Sequence, residues 1–276
     1  MSAQEIGVRQ VVALEPDTPE PTGEAPPLLR LEHVDKSFGN VQALTDVSLD
    51  VPAGLVTALA GDNGAGKSVL VKCISGIHRP DRGAIRWEGR EVHLRGPKDA
   101  AALGIETVYQ DLALCDNLDV VSNMFLGRER GAHGVLDQPS MEVAAGQALR
   151  ELAVTTIHSI RQPVASLSGG QRQSVAIARS ALWHSRLVIM DEPTAALGVA
   201  QTAVVLDLIR RLAARGVAVI VISHNMNDVF QVADRIAVLY LGRMVAVRTV
   251  DELDRRTVVE LMTAGESERL MPTRPR

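Results

Sequence analysis

Eight residues constrain the fold of this chain more than any other feature. Gly61-Asp62-Asn63-Gly64-Ala65-Gly66-Lys67-Ser68 has the spacing G-x-x-x-x-G-K-[ST]. A short apolar run, LVTALAG, leads into it, and an apolar helical stretch, SVLVKCISG, leads out and stops at Gly76. A glycine loop between a strand and a helix is the context in which this spacing cradles phosphates. The glycines let successive backbone N–H groups turn inward, and the helix points its positive end at the same anion. Lys67 is then expected to reach the β- and γ-phosphates, and Ser68 to ligate magnesium. The rival reading is a plain glycine-rich turn, and the flanking elements argue against it.

Such a loop needs partner strands. RLVIMDE and VAVIVISH are short, continuous apolar runs that end in polar residues. That pattern suits parallel strands buried on both faces, with chemistry at their carboxyl ends. A helix around residues 204–215 lies between them and completes a βαβ unit. In the first run, four apolar residues lead to Asp191 and Glu192. Asp191 is expected to hold the magnesium, directly or through water, and Glu192 to polarise an attacking water. Two acids after a strand also often begin a loop or cap a helix, so this assignment leans on the phosphate loop.

The remaining segments surround that core. LLRLEHV and VSLDV read as strands joined by FGN, and IRWEGREVHL as a hairpin turned at Glu88-Gly89. From about residue 111 to 165 the spacing becomes helical, with amphipathic helices expected over 116–127 and 141–153. We read this stretch as a helical subdomain inserted into the α/β core. RIAVLYLGRMVAV reads as a hairpin turned at Leu241-Gly242, followed by a short helix over about 251–263. Residues 1–27, rich in Pro, Glu and Thr, read as a disordered tail, and 265–276 as a polar tail. No internal repeat is found, so the expected unit is a single domain over 28–264.

Composition excludes several classes. The net charge of −4 and the lack of a long basic tract disfavour non-specific nucleic-acid binding, and no nucleic-acid partner is expected. Cys73 and Cys115 are far apart with no CxxC partner, so a disulfide framework or zinc site is not expected and a reducing cytoplasm fits. No apolar run is long enough to span a bilayer, and the N-terminus lacks a signal peptide's basic start and apolar stretch. If the protein works at a membrane, another chain is expected to hold it there.

Leu167-Ser168-Gly169-Gly170-Gln171 precedes a helical run, RQSVAIARSAL. Ser168 is a good N-cap, and the glycines bare backbone N–H groups at a helix start, a second anion site. By pattern alone an ordinary capped helix fits equally. The combination of LSGGQ with the phosphate loop and the Asp191-Glu192 strand, in this order, resembles the ATP-binding cassette (ABC) family over about residues 28–263. The resemblance implies an α/β P-loop NTPase core with an antiparallel β subdomain and an inserted α-helical subdomain. It implies ATP and Mg2+ as ligands and two cassettes packed head to tail, so that each ATP lies between one chain's residues 61–68 and the other's residues 168–171. It further implies that Phe38, just after the first strand, stacks on adenine with Val41 beside it. Gln110 in TVYQDLAL matches the glutamine that touches magnesium and faces the membrane partner, and His224 matches the histidine that contacts the γ-phosphate. On their own, Phe38 also reads as a core aromatic, Gln110 as a surface residue and His224 as structural or solvent-facing.

Two departures stand out. Gly198 replaces an aspartate usual in the family, which implies looser coupling between the two sites. Val69 replaces a common threonine and removes one hydroxyl contact to phosphate. GDNGAGKS, DNLDVVSNMFLGRE, EPTAALGVAQT and ISHNMNDVF resemble the ATPases of monosaccharide importers of the ribose, xylose and fructose type. The expected role is therefore a homodimeric ATPase peripheral to the cytoplasmic face of the membrane. It would drive a permease that an extracytoplasmic sugar-binding protein supplies. The alternatives are a soluble ABC ATPase acting on ribosomes or DNA, or an exporter ATPase. About a hundred residues separate Lys67 from Ser168 without sustained heptads, which argues against the chromosome type with its long coiled coil.

Overall fold

The computed structural model describes residues 26–132 and 134–267. The tails expected at 1–27 and 265–276 lie outside the described residues, apart from Pro26, Pro27 and 265–267. Strands β1 (Leu29–Phe38) and β2 (Val41–Val51) form a hairpin, and β3 (Val56–Ala60) runs into the glycine loop and helix α1 (Lys67–Ile74). Next come β4 (Arg82–Trp87), β5 (Arg90–Glu91), α2 (Pro97–Ala102) and β6 (Ile105–Val108). The insert holds α3 (Val120–Phe125), a two-residue ladder of β7 (Gly131–Ala132) and β8 (Val135–Leu136), and α4 (Gln138–Glu151). Helix α5 (Gly169–Leu182) leads to β9 (Leu187–Asp191), α6 (Val199–Ala214), β10 (Ala218–Ile222) and α7 (Met226–Val232). The chain continues through β11 (Arg235–Tyr240), β12 (Arg243–Thr249) and α8 (Arg255–Ala264).

A four-stranded antiparallel sheet has the order β2-β1-β4-β5, and a six-stranded sheet the order β12-β11-β3-β10-β9-β6. In the larger sheet β11, β3, β10, β9 and β6 are mutually parallel. The apolar runs behave as expected of doubly covered parallel strands: all five residues of β3 and of β10 are buried, as are four of five in β9. Both expected hairpin turns have two consecutive positive φ values, at Glu88-Gly89 (51° and 78°) and Leu241-Gly242 (44° and 78°), as a type I′ turn requires.

Strand alternation sorts the helices onto two faces. Val188, Met190, Val219 and Val221 pack with Val175–Ala178 of α5 and Val205, Leu206 and Ile209 of α6. Leu187, Ile189, Ile220 and Ile222 pack with Leu70, Val71, Cys73 and Ile74 of α1 and with the inner face of the antiparallel sheet. Helices α1 and α5 therefore lie on opposite faces of the six-stranded sheet.

Several boundaries differ from expectation, and capping explains them. The Asp119 side chain accepts from the Ser122 N–H, so α3 starts at Val120 and not at 116. Asp137 accepts from the Ser140 N–H, with a proline in the first turn, so α4 starts three residues earlier than the apolar periodicity indicates. Asp254 caps α8, and residues 250–252 form a separate 3-10 turn. Helix α6 begins at Val199, directly after Gly198.

Candidate functional site

The parallel register aligns the strand ends that carry the candidate residues. Leu59, Ile222 and Asp191 stand side by side across β3, β10 and β9, and Val108 of β6 pairs with Met190. The next residues along are the 61–68 loop, Glu192, His224 and Gln110. One sheet edge thus gathers phosphate-binding, metal-binding and water-activating candidates from four strands.

The loop's glycines do different things. Gly66 has φ 105°, and a Cβ there would lie 2.7 Å from the Ala43 carbonyl oxygen, so the loop can lie this close to β2 only without a side chain. Gly64 has φ 82° and faces open space, leaving the backbone bare there. Asp62, Asn63 and Ser68 are exposed, and Ala65 is buried. Lys67 Nζ donates to the carbonyls of Gly61 (2.7 Å) and Asp62 (3.0 Å), lying across its own loop. Burial pulls its pKa down, while Glu192, Asp191 and Asp62 hold the proton on. Val69 is half-buried and packs on the core beneath the loop, so the usual hydroxyl is replaced by apolar contact.

Asp191 has a raised pKa because it is half-buried and stands beside Glu192; Lys67 opposes the rise. Above its folded pKa, ionised Asp191 therefore costs the fold stability, and the cost is relieved as pH falls through that value. Glu192 adopts φ 50°, a left-handed conformation that a non-glycine residue holds only when its surroundings fix it. Its N–H donates to the Ile222 carbonyl (2.9 Å), and its Oε1 accepts from the His224 N–H (3.1 Å) and meets His224 Nδ1 at 2.8 Å. The His224 side chain is 75% exposed and that of Glu192 only 16%. The histidine thus covers the glutamate and leaves its other ring nitrogen toward solvent. Gln110 is exposed just beyond β6.

The 168–171 segment is a complete capping box. The Ser168 hydroxyl accepts from the Gln171 N–H (3.4 Å), and Gln171 Oε1 accepts from the Ser168 N–H (2.8 Å). Ser168 and Gly169 are exposed. Gly170 is buried beneath Gln201, whose Cβ lies 3.0 Å from where a Gly170 Cβ would be. The turn after Glu192 is held by a buried hydrogen bond from Thr194 Oγ1 to Asp228 (2.6 Å), and Gly198 ends it by capping α6.

Phe38 is the last residue of β1, not the first after it, and pairs with Val41. Both are exposed, at 43% and 66%, so the core-aromatic reading fails. One neighbour is not visible in local spacing: His78 meets the Phe38 ring edge-on at 5.0 Å, while Nζ of Lys36, two residues earlier on β1, lies 5.3 Å from its centroid. Asp81 fixes this corner through Lys36 Nζ (2.7 Å) and the Ser37 N–H (2.6 Å), which hold its pKa down to about 2.

Comparison with known proteins agrees with this geometry. The family model described as ABC transporter matches residues 44–195. The chain is 46% identical over 247 residues to the fructose import ATP-binding protein FrcA of Rhizobium meliloti, covering 87% of this chain and 95% of the relative. It is 45% identical over 237 residues to the xylose/arabinose import ATP-binding protein XylG of Sulfolobus acidocaldarius, covering 86% and 94%. The crystal structure of a nucleotide-free ATP-binding cassette from an ABC transporter superposes with a TM-score of 0.73 at 26% identity, covering 85% of this chain and 98% of that one.

Proposed function

The chain belongs to the ABC transporter family of ATP-hydrolysing cassettes, and on that premise we propose that it energises monosaccharide import through a membrane permease. The observation that carries the chemistry is Glu192, fixed at a left-handed φ and held by His224 at 2.8 Å, at the strand end beside Asp191 and Lys67. In this reading the 61–68 backbone and Lys67 take the ATP phosphates, and Lys67 exchanges its two loop carbonyls for phosphate oxygens. Glu192 orients a water and takes its proton. With Nδ1–H donated to Glu192, His224 would reach a γ-phosphate oxygen through an Nε2–H only as the imidazolium. Phe38, with Val41 beside it, offers its exposed ring to adenine.

The donor set fits magnesium. The Ser68 hydroxyl, the Asp191 carboxylate and the Gln110 amide oxygen are hard oxygen donors. Partial burial and the neighbouring Glu192 charge raise the Asp191 pKa, and a divalent cation held there would offset both. Among the described residues no three His, Cys, Asp or Glu side chains cluster as a metal site, which suits an ion held by few protein ligands and by substrate phosphate. When bound, it would neutralise charge on the phosphate oxygens.

The placement of α1 and α5 on opposite sheet faces supports a homodimer in which Ser168–Gln171 serve the other chain's nucleotide. Pairing a Lys67→Ala chain with a Ser168→Arg chain should recover part of the activity that each homodimer lacks. ATP-promoted crosslinks between cysteines placed near Ser168 and near Gly64 should run between chains. Crosslinks only within a chain would end the shared-site reading.

The sugar reading rests on the relatives' fructose and xylose/arabinose import roles. No described helix is long and apolar enough to cross a membrane, so the permease would hold the chain at the cytoplasmic face. An extracytoplasmic sugar-binding protein would deliver the substrate. Purification from native membranes should recover an integral permease whose complex hydrolyses ATP faster with monosaccharide-loaded binding protein. Recovery with ribosomes and no permease would overturn the transport reading.

A further inference from the structure

The corner that carries Phe38 has more contacts than a solvent-facing strand end needs. Past the end of α1 the chain turns at Gly76, with φ 74° and a Cβ position only 2.7 Å from the Gly96 carbonyl oxygen, an approach open to glycine alone. Two residues on, the His78 N–H donates back to the Lys72 carbonyl (2.9 Å), so the helix that begins in the phosphate loop fixes the His78 backbone. Asp81 secures the other end of this turn to β1. Its N–H donates to the Asp35 carbonyl (2.8 Å), and its carboxylate accepts from Lys36 Nζ (2.7 Å), the Ser37 N–H (2.6 Å) and the Ser37 hydroxyl (2.9 Å).

Two groups from this frame meet Phe38. The His78 ring stands 5.0 Å from the Phe38 ring, with the ring planes crossed at 68°. Lys36 Nζ lies over the ring, 5.3 Å from its centroid, and is itself held by Asp81. Phe38 still keeps 43% exposure, so its ring is held and yet open. An exposed aromatic at a strand end has several rotamers to choose among, and a crossed ring with a nearby cation narrows the choice. His78 is half-buried, and among the described residues neither of its ring nitrogens has a hydrogen-bond partner. A histidine kept only to satisfy polar partners would have them; what this side chain offers is its ring contact.

We propose that His78 is a positioning residue for adenine: it holds the Phe38 ring in the orientation on which the base stacks. The proposal rests on the reading of Phe38 as the adenine platform. His78 lies beyond the end of α1 opposite Lys67, so its effect falls on the base and not on the phosphates or the chemical step. A triphosphate without a base should not sense it.

The test is calorimetric titration of the full chain with ATP and with inorganic tripolyphosphate, both with magnesium, followed by steady-state hydrolysis of ATP. Phe38→Ala should weaken ATP binding at least about fivefold, the scale of a base–aromatic stack, and leave tripolyphosphate binding unchanged. His78→Ala should weaken ATP binding about threefold, the scale of an aromatic pair, and raise KM to match, with kcat and tripolyphosphate affinity unchanged. His78→Phe keeps an aromatic ring and loses both nitrogens, and it should restore ATP affinity. Unchanged ATP affinity in His78→Ala beside a weakened Phe38→Ala would overturn the positioning role alone. So would equal losses of ATP and tripolyphosphate affinity, which mark a merely structural effect passed along α1. A His78→Phe variant as weak as His78→Ala would overturn it too. A Phe38→Ala variant that loses no more affinity for ATP than for tripolyphosphate would overturn the adenine reading and the positioning with it.

Discussion

The strand-end site and the insert that carries α3 and α4 are built by different means. The strand ends inherit their positions from a buried parallel register: once β3, β10, β9 and β6 pair, Lys67, Glu192, His224 and Gln110 have almost no freedom to be elsewhere. The insert has no such frame. It packs on the core through Val120, Met124, Phe125 and Leu149, its loops are set by side-chain-to-backbone bonds from Asn123, Asp119 and Arg172, and it exposes apolar side chains at Val135, Leu136 and Val143. A rigid frame suits groups that must meet a transition state within fractions of an ångström.

The largest effect should come from the rigid half. Glu192→Gln should leave ATP binding intact and cut turnover at least about a hundredfold, because the group proposed to take the water's proton is lost. Near-normal hydrolysis by the purified variant would remove the chemical role from this strand end. Lys67→Ala follows: losing the loop's only cation should weaken ATP binding about tenfold to a hundredfold, the scale of a charge-assisted contact. Unchanged affinity in a direct titration would separate the loop from phosphate binding.

The insert should respond in stability more than in chemistry. Asn123→Ala leaves the Cys115 N–H and three carbonyls without their side-chain partner, a cost of about 2 kcal/mol that should lower the melting midpoint by about 4–8 °C. A calorimetric shift below about 1 °C would mean that the backbone bonds to residues 164 and 165 hold the loop alone. The smallest effect belongs to Asp81, which steadies the Phe38 corner. Its folded pKa lies below its unfolded one, so its stabilisation is fully present above about pH 4 and is lost as pH falls toward 2. Screening at this exposed position keeps it under about 1 kcal/mol. Asp81→Asn should lower the midpoint slightly at pH 7 and not at pH 2. A difference that persists undiminished at pH 2 would assign the effect to shape and not to charge.

The same contrast governs what could be read from residues alone. Continuous apolar runs ending in GDNGAGKS, DE and SH announce buried strands and their exits, because burial on both faces leaves little room for polar residues; Thr57, buried in β3, is an exception. The insert resisted reading because its helix limits are set by single caps, Asp119 and Asp137, and its hairpin strands are only two residues long. Local spacing was equally silent about His78 beside Phe38, forty residues away, and about Arg172 reaching back to Asp116. Contacts of that kind exist only once the sheet has brought distant segments together.

Under the proposed shared-site dimer, the opposite-face placement of α1 and α5 implies a rate law. Each free chain would carry two half-sites, so at low concentration hydrolysis should rise with the square of protein concentration. A permease that holds two copies removes that dependence by replacing bulk concentration with an effective local one, on the order of millimolar for a short tether. Unassembled subunits would then consume little ATP simply because they seldom meet.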